Sequence, residues 1–188
     1  QPLRNIHIKK FAIGQFEVTF EEYDRFAIAT DRSLPRDEGW GRGSRPVINV
    51  SWEDARNYTT WLSQETGIRY RLPSETEWEY AARNGGNNQL WAGTSDEKQL
   101  ADYAWFNTNS TGRTQPVGAK KANGLGIQDM SGNVWEWVED CWHEDYRDAP
   151  IDGAAWLDAT GENCGVHVRR GGAWTDSPGS LHSSIRNW

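Results

Sequence analysis

Apolar residues change their spacing twice in the first third of the chain. Ile6, Ile8, Phe11 and Ile13 fall in broken alternation, and Phe16 and Val18 continue it, which predicts short half-buried strands. The period then lengthens. Phe20, Tyr23, Phe26 and Ala27 recur at helical spacing behind Thr19-Phe20-Glu21-Glu22, a capping-box pattern, so a helix is expected to end near Thr30. Ser51-Trp52-Glu53-Asp54 opens a second helix by the same logic, with Trp52, Ala55, Thr59 and Leu62 on one face and a stop near Gly67. Both helices are expected to pack on one sheet. Ser74 caps a third helix, with Glu77 closing its box. Glu75, Glu77 and Glu79 crowd the positive end of its dipole. Acid/base or metal chemistry is one reading of these carboxylates; solvated capping charges with one salt bridge to an arginine is the preferred one.

From Asn84 onward the periodicity is lost, and Gly, Asn, Asp and Trp dominate. Short strands are expected around Trp135–Val138 and along Val166-His167-Val168-Arg169. Gly39-Trp40-Gly41-Arg42-Gly43 lacks the strand-to-helix context of a phosphate cradle and is read as a surface loop. With no internal repeat and no linker, the 188 residues are read as one domain, residues 1–188.

Composition narrows the partners. Twelve tryptophans and nineteen glycines imply a core filled by indole rings whose N–H groups find backbone carbonyls among tight turns. A formal charge of −7 with no basic run disfavours nucleic acid and anionic membrane surfaces. No apolar run is long enough to span a bilayer, and Gln1-Pro2-Leu3-Arg4 lacks the apolar core of a signal peptide, so the protein is read as soluble, monomeric and already processed.

Cys141 and Cys164 are too far apart for a CxxC motif and too few for a four-cysteine metal site. A disulfide, two buried thiols and a reactive thiol all remain open. Pairing implies a secreted, periplasmic or cell-surface location, and free thiols a cytoplasmic one. His7, His143, His167 and His182 form no metal-spaced pair and are expected to be surface or hydrogen-bonded residues.

Five phrases carry a resemblance: Phe16-Glu17-Val18-Thr19, Pro46-Val47-Ile48-Asn49-Val50-Ser51-Trp52, Arg71-Leu72-Pro73-Ser74-Glu75-Thr76-Glu77-Trp78-Glu79-Tyr80-Ala81, Gly132-Asn133-Val134-Trp135-Glu136-Trp137 and Arg169-Arg170-Gly171-Gly172-Ala173-Trp174. In this order they resemble the formylglycine-generating enzyme (sulfatase-modifying factor) family over nearly the whole length. The resemblance implies an α+β, C-type-lectin-like fold: two or three helices packed on short antiparallel strands, rich in loops, with a ligand groove near the C-terminus. Members usually continue to a closing strand beyond the Arg-Asn-Trp phrase. This sequence stops at Trp188, so the last strand of the family is expected to be missing.

The resemblance also implies what the groove does. Catalytic members hold copper between two cysteines, and the matching positions here are Asp176 and Leu181, neither of which can supply a thiolate. A second catalytic branch uses a three-histidine iron site for which this sequence has no counterpart, so neither copper nor iron is expected. One calcium site of the family transfers to Asp129, the carbonyls of Gly132 and Val134, and Glu136, an all-oxygen set suited to a hard cation. The alternative is that Glu136 pairs with an arginine while Trp135 and Trp137 anchor the core. The family's other calcium site needs an acidic insertion that is absent after Ala101-Asp102-Tyr103.

In non-catalytic relatives diversified by retroelements, the stretch after the Arg-Gly-Gly phrase varies. Here that stretch runs through Trp174, Thr175, Asp176, Ser177, Gly179, Ser180, His182, Ser184, Ile185 and Trp188, with Ile185 standing where a polar residue is expected. A diversified surface and an ordinary polar loop both fit. The leading expectation is a non-catalytic module binding a protein or other macromolecular ligand. An enzyme or maturation factor of the same superfamily with another site is one alternative, and a regulatory or sensor domain of a larger protein is another.

Overall fold

A computed structural model describes residues 5–158 and 164–188. The Gln1 to Arg4 segment, on which the signal-peptide reading partly rests, lies outside the described residues. The helices are α1 (Phe20–Ala29), α2 (Trp52–Thr66), α3 (Glu75–Ala82) and the single turn α4 (Leu100–Tyr103), with 3-10 turns at Glu97–Gln99 and Pro178–Leu181. Strands β1 (Glu136–Cys141), β2 (His167–Arg170) and β3 (Arg186–Asn187) form one antiparallel sheet in that order.

All three expected caps form as reciprocal boxes: Thr19 with Glu22, Ser51 with Asp54, and Ser74 with Glu77. Each pair satisfies amides that the first helical turn leaves without partners. Gly67, with a left-handed φ of 69°, ends α2 as expected. Ser51→Ala is expected to lower stability by about 1 kcal/mol, read as a lower urea midpoint with an unchanged slope. An unshifted midpoint would mean that this cap contributes nothing.

The expected N-terminal strands do not form. Pairing there is limited to a bridge between Thr19 and Pro46. Ile6, Ile8, Phe11 and Ile13 are half-buried as the alternation implies, but Phe16 and Val18 are 41% and 38% exposed while Glu17 points inward at 8%. A polar anchor sets this register. The Glu17 carboxylate accepts from the Asn133 side-chain amide at 2.7 Å and from the Val134 N–H at 3.1 Å.

The first two helices also pack differently from expectation. Tyr23, Phe26 and Ala27 of α1 bury against Tyr58 of α2, with Val47, Val50, Trp61 and Leu62 around them. Tyr23 and Tyr58 stack at 5.9 Å, and Phe26 meets Tyr58 edge-on at 5.7 Å. The helix that covers the sheet is α3, whose Trp78, Ala81 and Ala82 join Val138 and Val168 in the central core. Trp52 links α2 to the sheet, its indole N–H donating to the Val138 carbonyl at 2.8 Å.

Two of the three α3 carboxylates are withdrawn from solvent, and Glu79 is half-buried. Glu75 and Glu77 are 4% and 6% exposed, and each carboxylate of the trio meets a guanidinium. Arg71 grips Glu77 through two 2.7 Å bonds, and against the upward push of burial Arg71 and Ser74 hold its carboxyl below the usual range. Glu79 accepts from Arg83 and Arg170 at 2.7 and 2.6 Å. Arg186 binds both oxygens of Glu75 at 2.8 Å. Helix spacing marks these residues as capping charges and places Arg71 and Arg83 close by in sequence, but Arg170 and Arg186 arrive from a distant segment.

Cys141 and Cys164 are joined as a disulfide, with Cα atoms 5.5 Å apart. The Cys141, Cys164 and His167 donor atoms lie within 4.8 Å of one another, yet sulfurs bonded to each other offer no thiolate to a metal. No helix among the described residues is long and apolar enough to cross a membrane. The disulfide and this observation are compatible with an extracellular location.

Candidate functional site

The segment from Gly132 to Trp137 turns the backbone sharply before β1. Gly132 has a φ of 85°, and a Cβ there would collide with the Trp105 carbonyl, so this position requires glycine. Asn133 is fully buried at a φ of 59°, a left-handed conformation that asparagine tolerates. Its side chain donates to Glu17 and to the Gln115 carbonyl and accepts from the Gln115 N–H, so one residue joins three segments. Trp174 then leans on the same turn, its N–H donating to the Asn133 carbonyl.

Three carboxylates converge behind this turn. Glu136 accepts from the Trp78 indole N–H at 3.0 Å, and burial, partly offset by that bond and reinforced by the charge of Asp129, pushes its carboxyl up to about 7. Asp129, 2% exposed at a φ of 64°, accepts from the Gly118 N–H through one oxygen, while the other is buried without a partner. Burial raises Asp129 as well. Glu17 lies well above the ordinary glutamate range, first from burial and then from the charges of Asp129 and Glu136. Among the described residues none of the three forms an ion pair. The arginine partner considered for Glu136 is therefore absent, and its place is taken by Trp78.

Glu17 and Asp129 are buried and Glu136 half-buried, the charge of Asp129 raises both glutamates, and one Asp129 oxygen is orphaned, so an oxygen-ligated cation would relieve the arrangement. The carbonyls of Gly132 and Val134 accept no hydrogen bond among the described residues. By type these oxygens suit a hard divalent ion, although among the described residues the carboxylates of Glu17, Asp129 and Glu136 do not gather within 4.8 Å of one another. Glu17 belongs to this acidic group although sequence reasoning missed it. The available signal was a lone carboxylate between the apolar pair Phe16 and Val18 in a strand-like register.

The rim after Trp174 divides into built and accessible positions. Leu181 is fully buried with Trp91, Leu100, Ala104 and Phe106. Asp176 closes its own turn, accepting from the Ala173 N–H at 2.9 Å, and its carbonyl accepts from Asn107. His182 lies edge-on against Trp91 at 4.8 Å, and the Ile185 carbonyl accepts from Arg170 at 2.7 Å. Thr175, Ser177, Gly179 and Ser184 are exposed, and Ser180 is half-buried. Aromatic rings frame the stretch: Trp174 meets Trp40 edge-on at 5.2 Å, and Trp188, 60% exposed, tilts against Trp142 at 4.7 Å. The Gly39 to Gly43 loop therefore reaches the rim through Trp40, a contact that its composition does not indicate.

The histidines serve separate packing roles. His143 stacks on Trp156 at 3.7 Å and His167 on Trp52 at 3.6 Å. Burial lowers His167 from its ordinary value.

A loop-rich α+β scaffold with a buried acidic turn beneath a polar, aromatic-framed rim defines the class of protein. The chain belongs to the sulfatase-modifying factor enzyme 1-like domain family, whose model matches residues 1–188. It is 35% identical over 151 residues to the formylglycine-generating enzyme of Thermomonospora curvata, covering 71% of this chain and 46% of that protein. The chain spans less than half the length of the formylglycine-generating enzymes from this bacterium and from Mus musculus. Among solved structures it is similar to PvdO from Pseudomonas aeruginosa, with a TM-score of 0.81 and 34% identity over 92% of this chain and 72% of that one. It is also similar to Treponema denticola variable protein 1, with a TM-score of 0.74 and 27% identity over 91% and 76% of the two chains.

Proposed function

We propose that this domain is a non-catalytic ligand-binding module whose contact surface is the rim at residues 174–188, carried on a calcium-linked turn. The observation that carries the reading is the character of the two positions matching the copper cysteines. Leu181 fills an apolar cluster, and Asp176 closes a backbone turn, so both are committed to the scaffold. Between Trp174 and Trp188 the exposed side chains are small and polar: Thr175, Ser177 and Ser184. Small adaptable groups between rigid aromatic anchors suit recognition of a protein or other macromolecular surface. The likeness to Treponema denticola variable protein 1 supports a surface whose residues vary while the scaffold is kept.

Asp129, Glu136 and the carbonyls of Gly132 and Val134 would hold the calcium, with Glu17 behind them. The ion would supply positive charge to the acidic turn, while the protein's own residues orient the rim: Asn133 fixes Trp174, and Arg170 holds the Ile185 carbonyl. In this reading the protein is a secreted, periplasmic or cell-surface monomer.

The test pairs one gain with one absence. A ligand recovered by cross-linking from the native source should bind the triple variant Thr175→Ala, Ser177→Ala, Ser184→Ala at least about tenfold more weakly, with the thermal midpoint within about 2 °C of wild type. Copper(I) with a cysteine-containing sulfatase peptide should give no oxygen consumption. Unchanged affinity, or turnover of the peptide, would reject the reading.

A further inference from the structure

Among the described residues Arg169 shares with Arg56 a half-buried guanidinium that meets an indole and no carboxylate. It differs from Arg56 in having a shielded Nε without an acceptor, while half-buried Arg45 donates to the Thr114 carbonyl. Arg42, Arg71, Arg83, Arg170 and Arg186 each bind a carboxylate. The side chain of Arg169, half-buried on β2, makes no hydrogen bond and no ion pair among the described residues, and its Nε is shielded from solvent with no acceptor. Two indoles frame its guanidinium instead, Trp135 at 5.6 Å and Trp137 at 6.0 Å. A partly desolvated cation without an anion is costly, and cation–π contact offsets only part of that cost.

Its place on the sheet gives the arrangement a purpose. Arg169 pairs across the ladder with Trp137 on one side and Asn187 on the other. Asn187 lies within the 174–188 rim, and its side-chain oxygen already accepts from the Trp188 N–H, which leaves the amide NH2 as a donor. Trp135 follows the turn on which Trp174 leans. With Nε shielded, the two terminal nitrogens form a forked donor pair between aromatic walls, the geometry that matches the two oxygens of a carboxylate.

We infer that Arg169, framed by Trp135 and Trp137 and flanked by Asn187, binds a carboxylate of the ligand that lies on the rim, either an Asp or Glu side chain or the terminal carboxylate of a polypeptide. The inference rests on the proposed binding role of that rim and names the chemistry it recognises. In a protein of net charge −7, such a site selects a local acidic group rather than an acidic partner as a whole.

The test uses the whole protein labelled with 15N-arginine, following the Nε–H signal of Arg169, assigned by its loss in Arg169→Gln. Sodium acetate at constant ionic strength, with sodium chloride as reference, should move this signal saturably. Acetyl-Gly-Glu-Gly-amide and acetyl-Gly-Gly-Gly with a free terminal carboxylate then separate the two carboxylate sources, and acetyl-Gly-Gln-Gly-amide should leave the signal in place. Tryptophan fluorescence follows the same titrations in Arg169→Lys and Arg169→Gln, where the affinity should fall about tenfold or more. Arg169→Lys preserves charge and packing, so its loss of affinity separates the fork from simple attraction. A linear shift equal to that in chloride, a response to inorganic phosphate but not acetate, or wild-type affinity in either variant would overturn the inference. The Thr175, Ser177 and Ser184 triple variant should still bind acetate, so a failed rim and a failed Arg169 site give different results.

Discussion

Replacing Glu75 with glutamine is expected to destabilise the protein by about 3–5 kcal/mol, far more than loss of any surface ion pair. Glu75 is 4% exposed and sits between two arginines that are themselves buried. Arg186 donates to both of its oxygens and to the His143 carbonyl at 2.6 Å, and Tyr146 donates to it at 2.8 Å. Arg170, with no exposed side-chain surface, approaches it at 3.5 Å while donating to the Ser183 and Ile185 carbonyls. Glutamine has nearly the same shape, so the variant removes charge with little change in packing. Two guanidinium groups would then share a dry site with one carboxylate fewer. By contrast, loss of the exposed Arg25–Glu21 pair through Arg25→Ala should cost about 0.5 kcal/mol or less. Urea unfolding of both variants measures the difference, and a cost below about 1 kcal/mol for Glu75→Gln would show that the network is dispensable. Because Arg170 and Arg186 hold the strand behind the rim, amide exchange at residues 183–187 should accelerate in the same variant.

Calcium should reverse the way stability responds to pH. In the metal-free protein Glu136 titrates at about 7 instead of the ordinary 4.5, and Glu17 and Asp129 are displaced in the same direction. Between these values the folded protein holds protons that the unfolded one has released, so stability falls as pH rises across that window. The displacement of Glu136 alone corresponds to about 2–3 kcal/mol after allowing for residual solvent contact. A bound divalent ion favours the ionised carboxylates and removes this loss, adding about 2.7 kcal/mol at a concentration one hundredfold above its dissociation constant. Urea midpoints at pH 5 and 7.5, in chelator and in excess calcium, give the comparison. Asp140, raised by burial to about 6, tilts both series the same way, and Glu77, held low, is ionised in both states across this window and adds almost no slope. The difference between the series therefore isolates the acidic turn. Glu136→Gln should flatten the metal-free series and weaken the calcium response, whereas parallel series with and without calcium would remove the ion from the site.

The candidate site was legible in the sequence unevenly. Asp129, Gly132, Val134 and Glu136 were named only through the family resemblance, and they lie near one another because eight residues span them. Glu17 is distant in sequence and enters the group through tertiary contact with Asn133. Asp176 and Leu181 were recognisable as positions that cannot hold copper, but their roles in a turn and an apolar cluster depend on neighbours at Ala173 and Trp91. Arg169 carries no signal of its own in a run of two arginines. Its neighbour Arg170 is buried and paired, and the pleat alone sends one to the carboxylates and the other to the indoles.

By itself, the sequence determined the three capped helices, the stop at Gly67, the strands around Glu136 and His167, and the family. Each depends on interactions within a few residues or on phrases kept in order along the polypeptide. Tertiary structure alone decided that α1 packs on α2, that Glu17 turns inward while Phe16 and Val18 face out, and that Glu75 and Glu79 meet Arg186 and Arg170 from a distant segment. An apolar stripe or a charge declares that it needs a partner, and local rules cannot say which part of the folded protein will supply one.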